Sequence, residues 1–283
     1  MTDADRNDQN DANVNDADLN DNGTMPLVAH LIELRNRLGV CIGIFMVLFI
    51  GSLVRPFGQE SRNFADVIFE FLQRPLANEL AEQGGRMIFT ALHEAFFTQI
   101  KVAFFAALFI SFPVILLQVW RFVAPGLYRN EKKAFLPFLL ATPILFFLGG
   151  AMVYYLVIPL AWDFFLSFQI AGGDTSLSVE VEPRISEYLS LVMRLIFAFG
   201  IAFELPVVLL LLAKAGIITA NGMARNRKYA ILLAFIAAAI LTPPDVISQV
   251  MLAIPVIMLY ELSIISARIM VKQPEYEDDD DDD

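Results

Sequence analysis

Residues Leu195–Ala213 read LIFAFGIAFELPVVLLLLA, nineteen residues with one charge, Glu204. Arg194 precedes the run and Lys214 follows it, each ten residues from Glu204. A helix rising ~1.5 Å per residue puts Glu204 roughly 15 Å from either end. The hydrocarbon core of a bilayer is about 30 Å thick. A spanning helix would therefore hold a carboxylate near the midplane, at a cost on the order of 3 kcal/mol or more. The run demands a membrane and the acid demands a purpose.

The rest of the chain agrees with a membrane. Of 283 residues, 57% are hydrophobic and 25 are Phe, and the mean hydropathy is positive. Largely uncharged runs recur at Leu38–Val54, Val102–Trp120, Ala134–Trp162, Leu195–Ala213, Tyr229–Pro244 and Val246–Tyr260. They are continuous, whereas the strands of a membrane barrel alternate. The expected fold is an all-α integral membrane protein of six transmembrane helices in a kinked, concave bundle. The spans are placed at approximately 36–56, 96–121, 133–163, 187–214, 227–241 and 247–266, within a domain of residues 25–270.

The net charge of −11 belongs to the ends. Residues 1–24 carry −6 and residues 275–283 carry −8, so the 250 residues between them carry +3. Segments 1–24 and 271–283 read as disordered acidic tails. The Asn/Asp tract lacks the basic and apolar regions of a signal peptide. The lone Cys41 lies in an apolar run and reads as a small buried apolar side chain. There is no phosphate-binding glycine loop, metal-ligand cluster or Ser/His/Asp spacing, so the expectation is a non-enzyme without cofactor or metal and with no nucleic-acid partner.

Basic residues choose the orientation. Arg35, Arg37, Arg121, Arg129, Lys132, Lys133, Lys214, Arg225, Arg227, Lys228, Arg268 and Lys272 fall on one face. Arg55, Arg62, Arg74, Arg86 and Arg184 are spread over the other. Both termini are expected in the cytoplasm, with Lys101 and Arg194 snorkelling and Arg194 offered Glu187 or Asp163 as partners.

Length and proline shape the helices. Tyr229–Leu241 makes only roughly 20 Å of helix before TPPD (Thr242–Asp245) turns the chain back, a hairpin that thins the bilayer or needs shielding. Pro113, Pro143, Pro159, Pro206 and Pro255 predict kinks. The segment Phe57–Thr98 is expected to carry an amphipathic helix with Phe64, Val67, Ile68, Phe71 and Leu72 at helical spacing, ended by Pro75.

Two cytoplasmic stretches carry polar detail. In HLIELRNRL (His30–Leu38), Glu33 and Arg37 form an i,i+4 pair on an amphipathic lead-in. In QVWRFVAPGLYRNEKK (Gln118–Lys133), Glu131 suits the N-terminus of a helix, and Phe122 and Tyr128 suit an interface. Each has an adequate structural reading by itself.

The order HLIELRNRL, RPLANEL, QVWRFVAPGLYRNEKK, AFGIAFELPVV, LTPPDVISQ and AIPVIMLYE resembles the TatC family, the multispanning core of the twin-arginine protein translocase, from about Met25 to Arg268. The resemblance implies a receptor in a bacterial or archaeal cytoplasmic membrane for folded precursors whose signal peptides carry paired arginines. It places signal-peptide binding at Glu33, Arg35, Phe122, Leu127, Tyr128 and Glu131. Carboxylates suit the task because they accept a guanidinium's forked donors bidentately. It implies single-span TatA-type and TatB-type partners contacting Glu204 and Gln249, self-association, contact with membrane lipid, and transport driven by the proton-motive force. Pro75, Pro125 and Asp245 match structural positions, with Asp245 suited to cap the helix from Val246. Other readings stand beside it: a neutral Glu204 bonded within the bundle, a secondary transporter using Glu204 as proton or cation carrier, and a bilayer-thinning insertase.

Overall fold

The computed structural model describes residues 27–54, 62–82, 85–127, 132–167, 182–242 and 246–271. Within these, 27–30, 81–82, 123–127, 132–139 and 247–248 are described by backbone alone. The chain divides into two compact units, residues 1–40 and 41–283. The described part of the first is the opening half of helix α1 (Leu27–Leu53).

The second unit continues α1 and adds α2 (Phe64–Glu82), α3 (Leu92–Leu127), α4 (Lys132–Met152), a π-helical turn (Val153–Val157), α5 (Ile158–Leu166), α6 (Ile185–Ala202), α7 (Leu205–Lys214), α8 (Ala220–Arg225), α9 (Arg227–Leu241) and α10 (Val246–Met270). Among the described residues the helices are joined by short turns and loops, and the β pairing is confined to an isolated parallel bridge between Ile88 and Arg184. Five segments are long and apolar enough to cross a membrane: Leu31–Leu53, Leu92–Phe122, Leu140–Leu166, Ile185–Lys214 and Gln249–Met270. The fifth run, Tyr229–Pro244, forms α9, 15 residues long, which is about 22 Å of helix and short of the bilayer, as its sequence indicates.

The prolines act differently from one another. Pro75 does not end α2, as the sequence led us to expect; the helix runs on to Glu82. A proline at 75 removes the amide that would bond the carbonyl of Phe71. Tyr154 donates its hydroxyl to that carbonyl at 2.7 Å and stacks on the Phe71 ring at 4.2 Å. The turn beyond is held by Leu76 and Leu80, both buried. The interior face of α2 is thus Ala65, Leu72, Leu76 and Leu80, while Phe64, Val67 and Phe71 are exposed. Asn63 and Asp66 cap its start reciprocally, at 2.7 and 3.1 Å.

Pro159 is absorbed without a break. The turn before it widens, with the amide of Ile158 donating to Val153 five residues back, which relieves the clash its ring would make four residues back. Pro206 does break the helix: α6 stops at Ala202 and α7 starts at Leu205. Pro113, Pro143 and Pro255 lie inside α3, α4 and α10, which continue through them.

The main core lies where α2, α3, α4, α5 and α6 meet, and reaches α9 and α10. A second cluster joins α7, α8 and α10. Backbone approach sets the α4–α6 spacing. A Cβ on Gly149 would stand 2.5 Å from the carbonyl oxygen of Phe199, and one on Gly200 would stand 2.5 Å from the ring of Phe146. Only glycine permits that separation.

Candidate functional site

The α4–α6 contact is an antiparallel ladder. Gly149 faces Phe199 and Phe146 faces Gly200; one turn further along, Thr142 faces Glu204. The ladder ends where Pro206 interrupts the helix. Glu204 sits in the turn, its amide bonded to Ile201 at 3.0 Å and its carbonyl accepting from Val208 at 2.9 Å. Pro206 cannot donate to Ala202, so the chain tightens there and carries Glu204 inward.

Glu204 is 3% exposed and Thr142 fully buried. The Thr142 side chain interacts with the Glu204 carboxyl, yet neither carboxyl oxygen makes a hydrogen bond of normal geometry among the described residues. A buried acid with so little polar company is destabilising in itself, and an ionisable side chain inside a membrane span is a candidate functional position.

On the other side of α6 and α7 lies an apolar cavity of about 380 Å³, lined by Ala202, Leu205, Ala234, Ala238 and Tyr260 among others. Glu204 faces away from it, toward α4. Gln249, paired with Glu204 by resemblance, is engaged elsewhere: its side-chain amide donates to the carbonyl of Phe235 at 3.0 Å and ties α10 to α9. Near the far end of that hairpin the Arg227 guanidinium grips Glu261 through two nitrogens at 2.6 and 2.9 Å, and Tyr260 donates to Met223 at 2.9 Å.

The candidate recognition residues are placed in part. Glu33 is half-buried on α1 and accepts from two nitrogens of Arg37, at 2.9 and 2.5 Å, so the expected i,i+4 pair is present. Arg35 is exposed beside Asn36. Phe122 is half-buried near the end of α3. Pro125 and Leu127 fall in the last turns of α3, where the backbone alone is described, and Tyr128, Glu131 and Asp245 lie outside the described residues.

Sequence reasoning missed Thr142, the glycine ladder and the two tyrosines that serve α2, Tyr154 and Tyr188; the second donates to Leu72 at 2.8 Å. The spacing of Gly149, Gly150 and Gly200 within apolar runs was the available signal. Arg194 also differs from expectation. Glu187 pairs with Arg184 at 3.2 Å, and Arg194 has no ion pair among the described residues.

Comparison with known proteins gives a consistent result. The family model described as Sec-independent protein translocase protein (TatC) matches residues 29–255. The chain is 56% identical over 243 residues to the Sec-independent protein translocase protein TatC of Magnetococcus marinus, covering 86% of this chain and 84% of that one. It is 40% identical over 248 residues to that of Escherichia coli K12, covering 88% and 90%. A crystal structure of a twin-arginine translocase receptor, TatC, superposes with a TM-score of 0.70 at 40% identity, covering 85% of this chain and 98% of that one.

Proposed function

Because the chain belongs to the TatC family of Sec-independent protein translocase proteins, we propose that it is the receptor and core subunit of a twin-arginine translocase. The carrying observation is the likeness to a twin-arginine translocase receptor over most of both chains. The protein lies in a prokaryotic cytoplasmic membrane with both termini inside, a placement supported by the twelve basic residues on one face.

In this reading Glu33 and Glu131 hold the paired arginines of a signal peptide, with Arg35, Phe122, Leu127 and Tyr128 beside them. The Glu33–Arg37 pair supports the chemistry: this carboxylate already accepts two donors of one guanidinium. TatA-type and TatB-type helices assemble about Glu204 and Gln249, and the proton-motive force drives export. Glu204's unsatisfied oxygens suit contact with an incoming polar group.

The test is binding of a labelled twin-arginine signal peptide to the purified protein in detergent, beside a twin-lysine peptide and a Glu33→Gln/Glu131→Gln variant. The expected result is binding that both controls lose. Equal binding throughout would overturn the site assignment.

A further inference from the structure

The helices α3 and α6 start side by side. The Ile88–Arg184 bridge joins the segments that lead into them, and Ser186 donates to the Glu94 carboxylate across their first turns. Lys101 is nine residues into α3 and Arg194 is nine residues into α6. Both cations therefore sit at one level, roughly 14 Å below the helix starts. They line a cavity of about 780 Å³ that also includes Trp162, Phe165 and the end of α9 at Leu241 and Thr242. The end of α9 closes one side of the cavity, at Leu241 and Thr242.

The electrostatics of the cavity are lopsided. Arg184 is matched by Glu187, whereas Lys101 and Arg194, both exposed, have no ion pair or hydrogen bond among the described residues. The hydroxyls nearby are committed as donors: Ser186 to Glu94, Ser190 to Ser186 and Thr242 to Ala238. The donors on offer are one ammonium and one guanidinium, set against apolar walls of Trp162, Phe165 and Leu241. A phosphodiester has the complementary chemistry, with oxygens for the guanidinium fork and a point charge for the lysine. The glycerol and acyl carbons attached to it match the walls.

We propose that this recess binds the phosphate of an anionic phospholipid, drawn from the leaflet on the side where α3 and α6 begin down onto the end of α9. A lipid seated there fills the height that α9 lacks and holds the bilayer thin at this edge. That this leaflet is the outer one rests on the orientation proposed above; the binding itself does not. An acidic protein segment would satisfy the charges equally, but it would leave the apolar walls and the depth unexplained.

The test is native mass spectrometry of the full-length protein in detergent, titrated with phosphatidylglycerol or with phosphatidylcholine of the same acyl chains. Inorganic phosphate is added as a competitor in a separate arm. Wild type should prefer phosphatidylglycerol. Lys101→Gln/Arg194→Gln should weaken it by about thirtyfold, the loss expected for two basic residues at an anionic surface, and leave phosphatidylcholine unchanged. Arg194→Lys should retain the preference, and Arg268→Gln, at the other end of the bundle, should match wild type. Unchanged phosphatidylcholine binding reports that the double variant is folded. No preference in wild type, or a preference the double variant keeps, would overturn the site. Displacement by equimolar phosphate would overturn the lipid in favour of a free anion. Tighter binding of an acidic peptide than of phosphatidylglycerol would overturn it in favour of a protein partner.

Discussion

Gly200 on α6 lies so close to Phe146 on α4 that a Cβ there would stand 2.5 Å from the ring's Cε2 and 2.8 Å from its Cδ2. Phe146 is fully buried and cannot yield into solvent. Gly200→Ala should therefore force the two helices apart and cost about 1–3 kcal/mol. Adding Phe146→Leu should recover part of that loss by making room. Thermal unfolding in detergent reads both. A Gly200→Ala variant as stable as wild type would mean that the ladder is looser than described.

The same ladder delivers Glu204 to the interior beside Thr142. Its carboxyl oxygens lack hydrogen bonds of normal geometry, so an apolar residue of similar size removes an uncompensated desolvation. Glu204→Met should raise stability by about 1–3 kcal/mol and abolish export of a twin-arginine precursor. Glu204→Gln, which keeps polarity, should retain part of the transport. A less stable Glu204→Met would show that the carboxyl is well bonded after all.

Gln249 offers a way to separate structure from partner contact. Its amide bond to Phe235 spans the hairpin at 3.0 Å. Hydrogen bonds between membrane helices are worth about 0.6 kcal/mol on average, so Gln249→Leu should lower stability only slightly. If Gln249 also meets partner subunits, the variant should lose much more of the co-purified TatB-type subunit than of its melting temperature. Loss of both in proportion would confine Gln249 to the hairpin.

How much of this was legible in the sequence depended on whether the cause was local. The apolar runs announce the spans, and the break at Glu204 follows from Pro206 two residues on. The shortness of α9 follows from the position of TPPD. Pro75 misled because the rule that a proline ends a helix applies to a helix alone. The carbonyl it orphans is met by Tyr154, 83 residues from Phe71 in the chain. Thr142 opposite Glu204 and Phe235 opposite Gln249 were hidden for the same reason, since no periodicity within one helix reports what faces it.

The loop side of α2 carries a charge cluster with a defined pH response. Glu70 accepts from Arg74 at 3.1 Å and from Arg62 at 2.5 Å. The Arg74 hydrogen bond first, and then the charge of Arg62, hold its carboxyl below the usual carboxylate range. A lowered folded value contributes stability that is present above the ordinary carboxylate pKa and lost as the pH falls through the folded one. Wild type should melt slightly above Glu70→Gln at pH 7, with the two converging below about pH 4. The gap should be small because the pair is exposed. A constant gap across that range would exclude the ion cluster as its source.

The pairing of Pro75 with Tyr154 can be measured as a coupling. Tyr154→Phe keeps the ring on Phe71 and removes only the hydroxyl that serves the Phe71 carbonyl. It should cost about 1 kcal/mol, the value of a buried hydrogen bond whose acceptor is then left unmet. Pro75→Ala supplies a backbone amide to the same carbonyl. In that background the carbonyl has a donor of its own, so Tyr154→Phe should cost much less. The double-mutant cycle should give a coupling of about 0.5–1 kcal/mol. Additive effects would mean that Tyr154 braces α2 through ring packing alone, and that the helix passes Pro75 on the strength of Leu76 and Leu80.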